Sequence, residues 1–284
     1  IPLRETAYRN ATGPDLGADE YDAVQELIFT KIALPPIWEI TPATPGGIPI
    51  GSLTQRYLLP FRYGSPDQNA APLDVTVIDT ATRRALGNPI LVGRYPAGVA
   101  VSPDGERLAW VEWDHPNMPW DGTELRVARL AVSDGPPALK ESMVVAGGPG
   151  VAIFQPEFTP EGDSVVFVSD EGGWGQLRRL DTATGETVTM ALDGEAGTPA
   201  WGQGMRRFSP LGSGRSAAVI SSGGFDRLVS VDAEGGERRI QGSDAYTAIA
   251  HPVGTPDGRS VAAVVSAGNP APRVRVFGAP GHRP

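Results

Sequence analysis

The strongest constraint on the fold is a turn-and-strand unit that recurs four times along the chain. It appears as Ser102-Pro103-Asp104-Gly105 ahead of Arg107–Glu112 and as Thr159-Pro160-Glu161-Gly162 ahead of Ser164–Val168. It returns as Ser209-Pro210-Leu211-Gly212 ahead of Ser216–Ile220 and as Thr255-Pro256-Asp257-Gly258 ahead of Ser260–Val265. Proline presets φ at the first turn position and glycine accepts the positive φ that closes the turn, so each unit reads as a hairpin. A further strand follows each hairpin and one precedes the series: Asp74–Thr80, Leu125–Leu130, Leu177–Thr182, Leu228–Asp232 and Val274–Phe277. Asp79 and Asp181 stand 102 residues apart with one unit between them, and Asp181 and Asp232 stand 51 apart, so the period is consistent. Four strands per unit of roughly 40 to 50 residues is the sequence mark of a β-propeller.

The fold class is therefore all-β, a propeller of four-stranded blades. Counting third strands predicts five blades, at approximately 37–92, 94–146, 151–192, 198–240 and 247–277, with six or seven as the alternatives. The last blade lacks an outer strand, and an open sheet edge invites aggregation. Glu26–Ile32 is the expected ring-closing strand, and the competing reading is a short helix over Asp19–Thr30 with Tyr21, Val24, Leu27 and Ile28 on one face. The chain divides into an N-terminal segment with that closing strand, 1–36, and the propeller, 37–284, within a single domain.

Composition narrows the partners. With 284 residues and 40% hydrophobic content the chain can bury a full core. The 36 glycines and 28 prolines fall between apolar runs, as turns require. A net charge of -9 opposes binding to nucleic acid or to an anionic membrane surface. No stretch is apolar for long enough to span a bilayer, and the start Ile1-Pro2-Leu3-Arg4-Glu5 lacks the basic-then-apolar order of a signal peptide. The compartment expected is the cytoplasm, with a secreted or periplasmic location after signal removal as the alternative. The absence of cysteine removes disulfides, thiolate metal sites and a cysteine nucleophile.

In a four-stranded blade the loop between strands two and three opens on the same face as the link to the next blade. That face gathers 114–123, 147–151, 169–175, 194–197, 221–225, 243–246 and 266–271 into a funnel. Aromatic walls with a few convergent polar groups are what a ligand pocket needs. The ligand-binding candidates are Asn117, Trp120, Glu171, Trp174, Arg206 and Tyr246. Arg206, with Arg207, can grip a carboxylate by paired hydrogen bonds, although an alternating strand turns only one of the two inward. His115 is the candidate general base, its ring oriented by Asp114 or Asp121. The plainer role for His115 is to hold its proline-braced loop through backbone hydrogen bonds. Trp113, Trp174 and Trp201 read first as packing, and Trp120 as the better stacking platform. Paired axial carboxylates would point to a glycosidase, but only Glu157 lies near the inner strands. His115, His251 and His282 lack metal-ligand spacing, so no metal and no cofactor is expected.

The stretch Trp113-Asp114-His115-Pro116-Asn117-Met118-Pro119-Trp120-Asp121-Gly122-Thr123-Glu124-Leu125 resembles a signature of the propeller domain of prolyl oligopeptidase family serine peptidases, especially acylaminoacyl-peptidase-like members. The segments Phe154–Gly162, Val166–Leu177 and Pro199–Met205 resemble successive landmarks of the same propeller. The resemblance covers about 94–278, and no motif of the first 91 residues carries it. Those peptidases carry an α/β-hydrolase domain after the propeller, and none is read here. The nearest approach to their Gly-X-Ser-X-Gly nucleophile elbow is Gly214-Arg215-Ser216-Ala217-Ala218, which departs at the last position and lies in an expected strand.

Three functions fit these residues. The first is a stand-alone propeller that binds a peptide or small polar ligand in its funnel, with acid–base chemistry there as an extension. The second is the gating, substrate-selecting propeller of a prolyl oligopeptidase-like peptidase, inactive by itself. The third is an interaction scaffold with a protein partner at the rim.

Overall fold

A computed structural model describes residues 57–58, 73–75, 78–79, 84–85, 90–93, 95–114, 117–131, 137–198, 205–268 and 271–280. The described elements are all strands. Five short ones come first: β1 (Tyr57–Leu58), β2 (Leu73–Val75), β3 (Ile78–Asp79), β4 (Arg84–Ala85) and β5 (Ile90–Gly93). They pair as β1-β3-β4 and β2-β5. The single strand expected over Asp74–Thr80 is thus divided between two sheets, because β2 takes its hydrogen-bond partner from β5 while β3 takes its own from β1 and β4. The expected closing strand, Glu26–Ile32, lies outside the described residues.

The rest forms sheets in strict chain order. One is β6 (Tyr95–Val101), β7 (Arg107–Trp113), β8 (Gly122–Ala131) and β9 (Ala138–Pro149). The next is β10 (Ile153–Phe158), β11 (Ser164–Ser169), β12 (Gln176–Asp181) and β13 (Thr187–Met190). A third is β14 (Phe208–Gly212), β15 (Arg215–Ser222), β16 (Phe225–Val231) and β17 (Glu237–Arg239). The last holds three strands, β18 (Ala248–Gly254), β19 (Ser260–Ser266) and β20 (Arg273–Gly278). All pairings are antiparallel meanders.

These sheets stand radially. First strands touch one another across successive sheets, β6 on β10, β10 on β14 and β14 on β18, which puts them innermost. The core lies between neighbouring sheets. Val111 and Leu125 of one pack with Val165 and Phe167 of the next, Val166 and Val168 with Ile220 and Val229, and Val219 and Leu228 with Val261 and Val265. Successive residues of β11 therefore point into different seams, and all six are buried. That is why this strand reads as an unbroken apolar run instead of an alternating one.

The Pro-Asp-Gly units form the expected hairpins in three of four cases. Gly105, Gly162 and Gly258 take φ of 76, 76 and 65°, and each N–H returns to the carbonyl of Ser102, Thr159 or Thr255. In the fourth, Ser209-Pro210-Leu211-Gly212 belongs to β14, and the turn moves on to Ser213 and Gly214 at φ 53 and 70°. The physical reason is Leu211. It stands where the other turns carry an acid, and burying its side chain in the seam cluster outweighs keeping the turn at the proline. Among the described residues no helix is long and apolar enough to cross a membrane.

Candidate functional site

The antiparallel meander sends the loops between second and third strands to the same face as the links between sheets. Two concavities among the described residues open there. One, of about 530 Å³, lies between the β11–β12 loop, the β13–β14 link and the β15–β16 turn, bounded by Trp174, Gln176, Glu195, Ser221 and Gly223. The other, of about 400 Å³, is bounded by Phe225, Asp226, Arg227, Arg239, Asp244 and Tyr246. Ser222 borders both, so they adjoin.

Trp174 is 66% exposed. This corrects its reading as a packing residue, and the cause is local: Gly172, Gly173 and Gly175 surround it, so the loop supplies no side chains to bury it. Glu171, in the same loop, is exposed and ion-paired with Arg178. Glu195 sits opposite in a cradle of two glycines. Its Oε1 accepts the Gly197 N–H at 2.9 Å and would lie only 2.2 Å from a Cβ on Gly175. Neither glycine has a positive φ, so close approach of the carboxylate, and not backbone conformation, explains why nothing larger stands there. Backbone bonds between Glu195 and Ser221 in both directions, at 2.9 and 2.8 Å, tie this link to the next sheet.

Arg207 is half-buried behind the cavity. It donates to Ser221 Oγ at 2.8 Å and lies 3.6 Å from the Asp226 carboxylate, which also accepts from Ile249 N at 2.9 Å. Burial holds its pKa below the usual arginine range, while Asp226 and Glu195 act against that. Arg206 takes the other side, paired with Glu157 at 2.7 Å on the innermost strand β10. The two arginines precede β14, so no strand alternation sets their directions, and they turn to different acids, Glu157 and Asp226.

Tyr246 is buried, edge-on to Phe277 at 6.1 Å between centroids, with the Arg273 guanidinium 5.7 Å from its ring. Only its margin reaches the smaller cavity. Asp114, Asn117 and Asp121 are exposed and Trp120 is half-buried on the β7–β8 loop, away from both cavities. There Asp121 Oδ2 accepts the Met118 N–H at 2.9 Å and Asn117 N donates to the Asp114 carbonyl at 3.0 Å. His115 lies outside the described residues. The structure therefore brings Trp174 together with Glu195, near Glu171, and keeps the β7–β8 group separate. Sequence reasoning passed over Glu195, Asp226 and the burial of Arg207. The available signal was an acid flanked by glycines, Gly194-Glu195-Ala196-Gly197, in a link between blades. Among the described residues no three metal-ligating side chains converge.

Comparison with solved structures places this architecture. A puromycin hydrolase is 31% identical over 72% of this chain, with a TM-score of 0.60. A puromycin-hydrolyzing peptidase of Mycobacterium tuberculosis is 27% identical over 73%, with a TM-score of 0.59. This chain has a prolyl oligopeptidase-type β-propeller. TolB from Acinetobacter baumannii, 18% identical with a TM-score of 0.54 over 78% of this chain and 49% of its own, shares the propeller fold. The propeller spans only about a third of the puromycin hydrolases' length, 31% and 33% of the two chains. No protein-family model and no curated protein matches the sequence.

Proposed function

We propose that this propeller binds a peptide or small polar ligand on its loop face. The observation that carries this is Trp174, a large aromatic left 66% exposed beside a cavity of about 530 Å³ that a carboxylate also borders. An exposed aromatic costs hydrophobic free energy unless something stacks on it, and an aromatic wall with one charged group is a common ligand-site composition. Calorimetric titration with trialanine and with puromycin tests it. Saturable binding of either that Trp174→Ala abolishes supports the function, and no binding of either removes it.

The likeness to puromycin hydrolases favours a specific use for such binding: selection of substrates for a peptidase of which this propeller is the gate. Fusion or co-expression with a hydrolase domain of that type, with cleavage of short against long peptides as the readout, tests this use. Acid–base chemistry by His115 with Asp114 and Asp121 is a separate proposal, tested by whether His115→Ala abolishes turnover of a bound peptide without weakening its affinity. A protein partner at the rim draws support from Val274 and Val276, 68% and 66% exposed on β20.

A further inference from the structure

We infer that the outward face of the last sheet, β18–β20, is a seam surface covered by this chain's own N-terminal sheet, β1-β3-β4, with His251 as the clasp across it.

Each inner sheet meets its successor through one face. In the β10–β13 sheet this leading face carries Val166, Val168 and Leu177, buried in one cluster with Ile220 and Val229 of the next. In the β14–β17 sheet it carries Ala217, Val219 and Leu228, buried with Val261, Val265 and Phe277. The last sheet is built the same way but its leading face is bare. Strand register sets Ala250, Val264 and Val274 in one cross-strand row and Val253, Ala262 and Val276 in another. Opposed residues of an antiparallel pair share a face, so these six aliphatic side chains form one surface. None of them is buried, and Val253, Val274 and Val276 are 42, 68 and 66% exposed. A contiguous apolar patch of this kind marks an interface.

The backbone of β18 carries a second, independent sign. Gln155 stands at φ 51° where the register shifts between Phe154 and Glu157, directly before Pro156, and its amide reaches Phe208 and Arg207 of the following blade. His251 repeats that geometry. It stands at φ 52° where the register shifts between Ala250 and Val253, directly before Pro252. Its side chain is exposed and takes no hydrogen-bond partner among the described residues. Left-handed backbone at a residue with a Cβ persists where the surroundings hold it, and at Gln155 the holding contact comes from the neighbouring blade.

The occupant lies at the other end of the same chain. Ile90 of β5 is buried in one cluster with Trp110 and Leu130, which places the N-terminal strands against the trailing face of the β6–β9 sheet. The four sheets from β6 to β20 follow one another around an axis, and rings of this type close with about four to eight blades. The next sheet round the axis is then β1-β3-β4. A second copy fits less well, because pairing β20 with its copy about a two-fold would set Arg273 and Arg275 against like charges. The valines open to a rim partner thus have an occupant within the chain, and the test separates the two.

The chain has no cysteine, so single introduced thiols report without background. In the full chain at low protein concentration, Val276→Cys is expected to react with a small aromatic disulfide reagent about tenfold or more slowly than Val188→Cys on the outer strand β13, since reagent enters only when the seam opens. Third strands share a cluster in the inner seams, as Leu228 and Phe277 do, so Val276 is expected near β3. Val276→Cys combined with Ile78→Cys or with Asp79→Cys is therefore expected to give a cross-linked monomer with a short bismaleimide. Both β3 positions are tried because adjacent strand residues face opposite ways. His251→Gly is expected to bring the Val276→Cys rate toward that of Val188→Cys, and His251→Gln, which installs the side chain that clasps at Gln155, to leave it slow. Equal rates for the two thiols overturn the seam and leave the face free for a separate partner. No cross-linked monomer from either pair also overturns it. Linked dimers alone, or protection that grows with protein concentration, assign the face to a second copy and overturn the intramolecular seam. A slow rate that survives His251→Gly overturns the clasp alone. Val274→Cys, on the same face, repeats the rate measurement where Val276→Cys does not fold.

Discussion

Gln155 clasps Phe208 across the seam between two blades, its amide nitrogen donating to the Phe208 carbonyl at 2.7 Å while its amide oxygen accepts from the neighbouring Arg207 N–H at 2.6 Å. To reach, Gln155 sits at φ 51°, at the point where the β10–β11 register shifts. Left-handed backbone is unfavourable for a residue with a Cβ, and the clasp offsets it.

Gln155→Ala is expected to lose about 2 kcal/mol in urea denaturation, since two backbone groups at the seam lose their partner while the backbone strain persists. Gln155→Gly removes the same clasp but relieves the strain, and is expected to be roughly 1 kcal/mol less harmful. Equal losses for the two variants would mean that the strained φ is not what the clasp offsets.

Gly175→Ala places a methyl 2.7 Å from Gly197 Cα as well as against the Glu195 carboxylate, so backbone as well as side chain must shift. The expected loss is about 1–3 kcal/mol, with a matching loss of any peptide affinity. Gly172→Ala, in the same loop with nothing within 4 Å of the added carbon, is expected to change stability by less than about 0.5 kcal/mol. Thermal melts of the two variants side by side separate packing around Glu195 from general loop intolerance.

The contrast between these glycines marks the limit of what the sequence discloses. The hairpins were legible because proline, acid and glycine act within a few residues, and β11 and β15 because apolar runs report burial directly. The Ser209-Pro210-Leu211-Gly212 turn misled because Leu211 answers to a seam contact that local chemistry does not record. Gly175 looks like any turn glycine, and only the return of the β13–β14 link reveals the carboxylate that requires it. Trp174 was placed on the correct face by strand counting, yet its exposure depends on the absence of neighbours, which no motif encodes.

Arg207 and Arg227 both face acids, but their settings differ. Arg207 has an 11% exposed side chain against a 20% exposed Asp226, whereas the Asp193 that meets Arg227 is 91% exposed. Removing one partner of a desolvated pair strands the other, so Arg207→Ala is expected to cost about 3 kcal/mol. Arg227→Ala is expected to cost less, about 1 kcal/mol, because its own side chain is 25% exposed and one of its two acids, Asp193, stands in water. Denaturation at low and high salt checks this: the Arg227 contribution fades with added salt, and that of Arg207 persists.

Asp104 and Asp257 place the onset of acid sensitivity. The Ser102 hydroxyl donates to Asp104 Oδ1 at 2.5 Å, and the Thr255 hydroxyl to Asp257 Oδ1 at 2.6 Å. These hydroxyl contacts are the main reason that both carboxyls are held below the usual aspartate range, with backbone N–H groups of Glu106 and Arg259 adding to them. A carboxyl whose folded pKa is depressed stabilises the fold above its unfolded pKa, near 4, and that contribution is lost as pH falls through the folded value. Asp104→Asn is therefore expected to lower the melting temperature at pH 7, with the gap to the unaltered chain narrowing steadily below about pH 4. Ser102→Ala, which removes the donor itself, is expected to narrow the gap over the same range while also losing the hydroxyl's bond from Arg107 N at 2.8 Å, a part that does not titrate. A gap in Asp104→Asn that stays constant from pH 7 to pH 2 would show that the hydroxyl-bonded carboxylate does not carry the turn.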